Sequence, residues 1–130
     1  MSFKIFKRKS KVTEFEIADL FCGSINEKES LFRVQLYRNL EGIRLEKEGQ
    51  IDKAIDLYEA NVGENSEGSH PYDRLAVIYR KRNQTDDEIR VLEKAIWVFE
   101  NVASKCRSDR LPKLERFRKR LEKARKMKKG

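Results

Sequence analysis

The chain matches itself at one fixed offset, and both copies carry a helical pattern. Aligning 42–61 with 76–95 pairs Gly42 with Ala76, Leu45 with Tyr79, Ile55 with Ile89, Tyr58 with Leu92 and Glu59 with Glu93. Self-similarity at a period of about 34 residues marks a stacked supersecondary unit, because one unit alone cannot bury its apolar face. The three- and four-residue spacing of the apolar positions makes that unit a pair of helices. The expected fold class is therefore all-α, built from antiparallel helical hairpins. With 38% apolar and 40% charged residues, each helix has one stripe to bury and a solvated remainder.

Local signals place the helix ends. Ser24 with Glu27, or Asn26 with Glu29, forms a capping box that opens the first helix. Residues 63–69 hold two glycines and two serines and read as a linker between hairpins. Pro71 suits the first turn of a third helix, just after Ser69. Thr85 and Glu88 form a second capping box, with Asp86 and Asp87 in the turn that favours negative charge. Ile89, Leu92, Ala95, Ile96, Phe99, Val102 and Ala103 then recur at helical spacing. Asp109 and Pro112 open a last helix, with Leu111, Leu114, Phe117, Leu121 and Ala124 as its apolar stripe. Arg116, Lys119, Lys123 and Lys126 fall on the opposite face.

The first unit has Gly42 where two helices would cross and the large Leu45 three residues on. Gly49 stands at the turn, the small Ala54 in the second helix, and Tyr58 at the following aromatic position. Small residues let antiparallel helices approach, and large ones fill the adjoining gap. On these residues the stretch 35–101 resembles the tetratricopeptide-repeat (TPR) family, whose helix–turn–helix unit has the same period. The second unit keeps Tyr72, Leu75, Ala76, Tyr79 and Ala95 but departs twice. Asn83 replaces the turn glycine, which left-handed geometry tolerates, and Glu88 replaces an alanine.

The resemblance implies a TPR-like stack of antiparallel hairpins whose last repeat is covered by a C-terminal capping helix. It also implies a concave groove, lined by the first helix of each repeat, that binds a protein or peptide segment. Carried over by position, the groove holds Leu36, Asn39, Ile43, Glu46 and Lys47 in the first unit. In the second it holds His70, Asp73, Val77, Arg80 and Lys81. Tyr72, Tyr79, Arg80 and Lys81 are the expected contacts. The set does not match the Lys and Asn clamp that some members use for a C-terminal carboxylate. Two repeats make a short groove, which the chain's own terminal segments can also fill.

Charge divides the chain further. Residues 1–12 carry +5, residues 13–104 carry −7 and residues 105–130 carry +10, giving the net +8. The expected organisation is a basic, irregular N-terminal segment at 1–26, a helical domain at 27–105, and a basic capping helix and tail at 106–130. A second reading of function follows: the basic last helix, through Arg116, Lys119, Lys123 and Lys126, would bind a nucleic-acid phosphate backbone. It lacks the interleaved aromatics of a base-stacking surface. A third is self-association through the apolar edges of a short array.

Nothing in the chain spells catalysis. The one histidine, His70, precedes Pro71 and reads as a surface or capping residue without a positioned partner. Cys22 and Cys106 lie far apart and read as reduced, partly buried thiols. No zinc spacing, glycine-rich phosphate loop or nucleophile motif occurs, and Asp86-Asp87-Glu88 reads as a helix start. No cofactor, metal or enzymatic activity is expected. The N-terminus lacks a signal-peptide apolar run, and no stretch approaches the ~20 apolar residues of a membrane span. These features predict a soluble, cytoplasmic protein.

Overall fold

A computed structural model describes residues 26–129. The described residues form five helices and no strand: α1 (Glu27–Lys47), α2 (Ile51–Gly63), α3 (His70–Lys81), α4 (Thr85–Asn101) and α5 (Arg110–Lys129). Cys22, Ser24 and the rest of 1–25 lie outside the described residues. Among the described residues no helix is long and apolar enough to cross a membrane. The chain divides into two units, Met1–Tyr37 and Arg38–Gly130, with the boundary inside α1.

In the first unit, the Asn26 side chain accepts the Glu29 N–H at 2.8 Å and so caps α1. Glu27 and Glu29 occupy the first turn, where the helix dipole favours them. Arg33 pairs with Glu29 at 3.4 Å. Leu31, Phe32 and Leu36 are exposed.

In the second unit the same turn is built twice, at positions that the self-alignment of the sequence pairs. After α1, Gly49 takes φ +80, and after α3, Asn83 takes φ +60. The Gln50 N–H reaches the Leu45 carbonyl at 2.9 Å, and the Gln84 N–H reaches that of Tyr79 at 2.9 Å. Gly49 N–H to Glu46 and Asn83 N–H to Arg80 complete the pairs at 3.0 and 3.1 Å. Each set closes a helix C-terminus through a left-handed residue, which satisfies carbonyls the helix leaves open. Gln50 and Gln84 then cap the next helix at φ −92, ψ 66 and φ −94, ψ 69. Neither cap uses its side chain. The expected Thr85–Glu88 capping box therefore does not form. Thr85 is already helical, and Glu88 turns inward because Arg80 lies there to pair with it.

Packing follows the small and large positions. An added Cβ on Gly42 would lie 2.4 Å from a Tyr58 ring carbon, so α1 and α2 touch there with no room for a side chain. Tyr58, Leu45 and Ala54 are fully buried around that contact. Ala76 and Leu92, which align with Gly42 and Tyr58, are fully buried in α3 and α4, as is Ala95.

The last helix is anchored by Phe117, which is 0% exposed. Its ring meets Phe99 of α4 at 5.4 Å and Tyr72 of α3 at 6.2 Å, both edge-on. Burying a Phe stabilises by about 2–3 kcal/mol, and the edge-on contacts add to that. Leu114, Leu121 and Ala124 continue the stripe. Ion pairs flank it: Arg116 with Asp73 at 2.7 Å, Arg120 with Asp73 at 3.1 Å, Arg118 with Glu100, Arg125 with Glu93 at 2.7 Å and Lys128 with Asp86 at 2.6 Å. The order of these pairs along α4 and α5 runs the two helices antiparallel. Pairs of this exposure contribute about 0–1 kcal/mol each, so apolar burial holds α5 and the charges set its register.

The connection between α4 and α5 leaves Cys106 exposed, which corrects the expectation of a partly buried thiol. Arg107 and Lys113 hold the Asp109 carboxyl down to about 2 by hydrogen bonding.

Gly42→Ala is expected to destabilise the protein by about 1–3 kcal/mol, because overpacking against Tyr58 outweighs the roughly 1 kcal/mol gained in helix propensity. Gly63→Ala, with no atom within 4 Å of its added Cβ, should be neutral or stabilising. Urea unfolding of both variants measures the contrast.

Candidate functional site

The expected groove residues lie on α1 and α3. Leu36 is exposed in the first unit, and the other nine belong to the second. Asn39 accepts a hydrogen bond from Asn61 Nδ2 at 2.9 Å. Asn61 in turn accepts from Arg38 at 3.0 Å, and Arg38 reaches Glu64 at 2.7 Å. This polar chain ties the middle of α1 to the end of α2. Ile43 is half-buried, and Lys47 is exposed at the end of α1.

Glu46 is the hub of the α1 side. It accepts the Tyr58 hydroxyl at 2.7 Å and two Arg74 N–H groups at 3.1 and 2.6 Å. Burial works to raise its pKa, but the hydrogen bonds from Arg74 and Tyr58 win and hold it below the ordinary value. The same cluster pushes the Tyr58 phenol upward, through burial and then through the Glu46 carboxylate. His70 packs edge-on against Tyr58 at 5.4 Å, with its Nε2 buried and lacking a hydrogen-bond partner among the described residues. Burial, then the Arg74 charge, lowers its pKa. His70 is therefore a half-buried packing residue and not the surface or capping histidine expected. Arg74 is not legible as a member of this hub from the sequence, because it lies outside the TPR positional pattern and pairs across 28 residues.

Two more of the expected groove residues are already engaged on the α3 side. Asp73 receives Arg116 and Arg120 from α5. Arg80 holds Glu88 at 2.7 Å, and Glu88 is 1% exposed. Tyr72 and Tyr79, expected as surface contacts, are core residues. The Tyr72 hydroxyl donates to the Ser66 carbonyl at 2.6 Å, and that of Tyr79 donates to Glu59. Val77 is half-buried and Lys81 exposed. These two join Arg80, Arg120 and Lys123 in lining a recess between α3 and α5. Sequence reasoning misses Arg120 because its role depends on how α5 is rotated.

The four expected phosphate contacts separate in the structure. Arg116 turns to Asp73, Lys119 lies 3.7 Å from Glu115, and Lys126 lies 3.8 Å from Glu122. Lys123 faces the recess instead. Among the described residues there is no group of His, Cys, Asp and Glu that could hold a metal ion. What the inner residues offer chemically is ion pairing and hydrogen bonding around Glu46, Asp73 and Glu88.

A scan against protein-family models, a search of curated proteins and a search of solved structures each gave no match.

Arg80→Ala is expected to cost about 3 kcal/mol, since it leaves the buried Glu88 carboxylate unpaired. Adding Glu88→Ala places there the residue type found at position 54, its match in the self-alignment, and should recover more than half of the loss. Thermal unfolding of the single and double variants reads both effects.

Proposed function

We propose that the chain is a non-enzymatic, cytoplasmic TPR-like scaffold of two repeats, closed by α5, that holds a segment of a partner protein along the α1 and α3 face. The observation that carries this reading is the pair of matching turns at Gly49 and Asn83, with the same hydrogen bonds and cap angles at aligned positions. A repeated turn sets a repeated hairpin geometry, and repeated hairpins stack into a continuous binding face. The close approach at Gly42 and the fully buried Ala76 and Ala95 support it further.

The partner meets a face whose acids are largely satisfied from within. Glu46, Asp73 and Glu88 are held by arginines, so Ile43, Lys47, Val77 and Lys81 remain as the accessible contacts. Such a face gives a segment apolar contact from Ile43 and Val77 and positive charge from the two lysines.

Photocrosslinking in cells tests this. A benzophenone amino acid at Ile43 or Val77 should capture a discrete protein, while the same group at the exposed Lys53 or Asp56 of α2 should not. Equal capture from both sets of positions, or none from Ile43 and Val77, contradicts the reading.

A further inference from the structure

The recess between α3 and α5 gathers positive charge. Val77 and Lys81, one turn apart on α3, line one side, Arg120 and Lys123 on α5 line the other, and Arg80 completes it. Among the described residues no carboxylate lines it. Two carboxylates stand nearby: Glu88, held by Arg80, and Asp73, shared by Arg116 and Arg120. Against them stand Arg80, Lys81, Arg116, Arg120 and Lys123, so cations outnumber acids by three. Lys81 and Lys123 have no ion-pair partner among the described residues.

The opposite flank of α5 is different. There Arg118 faces Glu100, Arg125 faces Glu93 and Lys126 faces Glu122. Apart from Lys129, the positive charge of that flank is matched, whereas in the recess it is left over. A concave site with surplus charge concentrates counter-ions. Burial lowers the Arg120 pKa in spite of Asp73, and the charges of Arg116 and Arg80 push the same way.

The donors left over decide the ligand's shape. The Arg80 fork is committed to Glu88, and Arg120 reaches Asp73. What remains are the two lysine ammoniums, which act as point charges and not as planar forks. They suit a compact tetrahedral oxyanion better than a carboxylate. Each side of the recess spans about one helical turn, which accommodates a single group and not a running polymer backbone.

We propose that this recess is a phosphate site, taking one compact phosphate group with two or more negative charges between Lys81 and Lys123, against Val77. The site shares Val77 and Lys81 with the face of the scaffold reading, but it is argued from the recess alone and does not depend on that reading.

Isothermal titration of the full chain with pyrophosphate, and separately with O-phosphoserine, at near-physiological salt tests the proposal. At least one should bind saturably at a single site, and the stronger of the two indicates a free phosphoryl compound or a phosphorylated side chain as the source. Lys81→Gln/Lys123→Gln should weaken binding by at least about tenfold. Its melting temperature without ligand should match the natural chain, because both lysines are exposed and unpaired. Lys119→Gln/Lys126→Gln should bind as the natural chain does. Absence of saturable binding by both probes overturns the proposal, as does undiminished binding by the Lys81/Lys123 variant. Single-stranded DNA that binds more tightly, resists competition by pyrophosphate and depends equally on both lysine pairs also overturns it, in favour of a backbone-binding surface.

Discussion

The burial of Phe117 between Tyr72 and Phe99 is the contact on which the C-terminal half of the molecule depends. Without α5, the outer faces of α3 and α4 would present Tyr72 and Phe99 to water. With α5 in place, the three rings form one cluster, and the charge division of the chain acquires a purpose. The acidic residues Asp73, Asp86, Glu93 and Glu100 of the body meet cations of α5 along its length. Part of the excess of positive charge over 105–130 is thus the other half of an internal match. Apolar burial supplies the stabilisation, and the ordered pairs restrict the helix to one rotation and one register.

That rotation has a consequence at the α3–α5 boundary. Seating Phe117 brings Arg116 and Arg120 to Asp73 and leaves Arg120 and Lys123 across from Val77 and Lys81. The surplus cations of the recess arise from this placement. Arg80 is also held nearby, because the buried Glu88 needs a partner. Replacing the alanine of the repeat pattern by Glu88 therefore fixes one arginine in the recess and removes it from general surface use.

Much of the fold is legible in the sequence. Gly42, Gly49, Asn83 and Pro71 act through backbone geometry, which a residue type reports directly. The helices, the linker after α2, and the stripe of Leu114, Phe117, Leu121 and Ala124 follow from local spacing, although Leu111, expected to begin that stripe, is exposed. The α4 stripe is only partly legible: Val91 and Val98 are buried, whereas Ile89 and Ile96 are half-buried. A one-residue change in the chosen spacing rotates a helix face by about 100°, so such errors are easy. The site is less legible, for a physical reason. Whether Glu46, Asp73, Arg80 or Arg116 is available depends on partners 8 to 47 residues away. Charge type is local, but charge pairing is tertiary. Tyr72 and Tyr79 illustrate the same limit, since an amphipathic ring on a groove helix reads equally as contact or core.

Native-state hydrogen exchange across α3, α4 and α5 tests most directly whether α5 is an integral part of the structure. If Phe117 and its flanking ion pairs dock α5 as described, the amides of 114–124 will exchange as slowly as the slowest amides of α3 and α4, all with the free energy of global unfolding. If the amides of 114–124 exchange like open chain while those of α3 and α4 stay protected, α5 is a frayed basic tail, and neither the charge match nor the recess it forms with α3 exists.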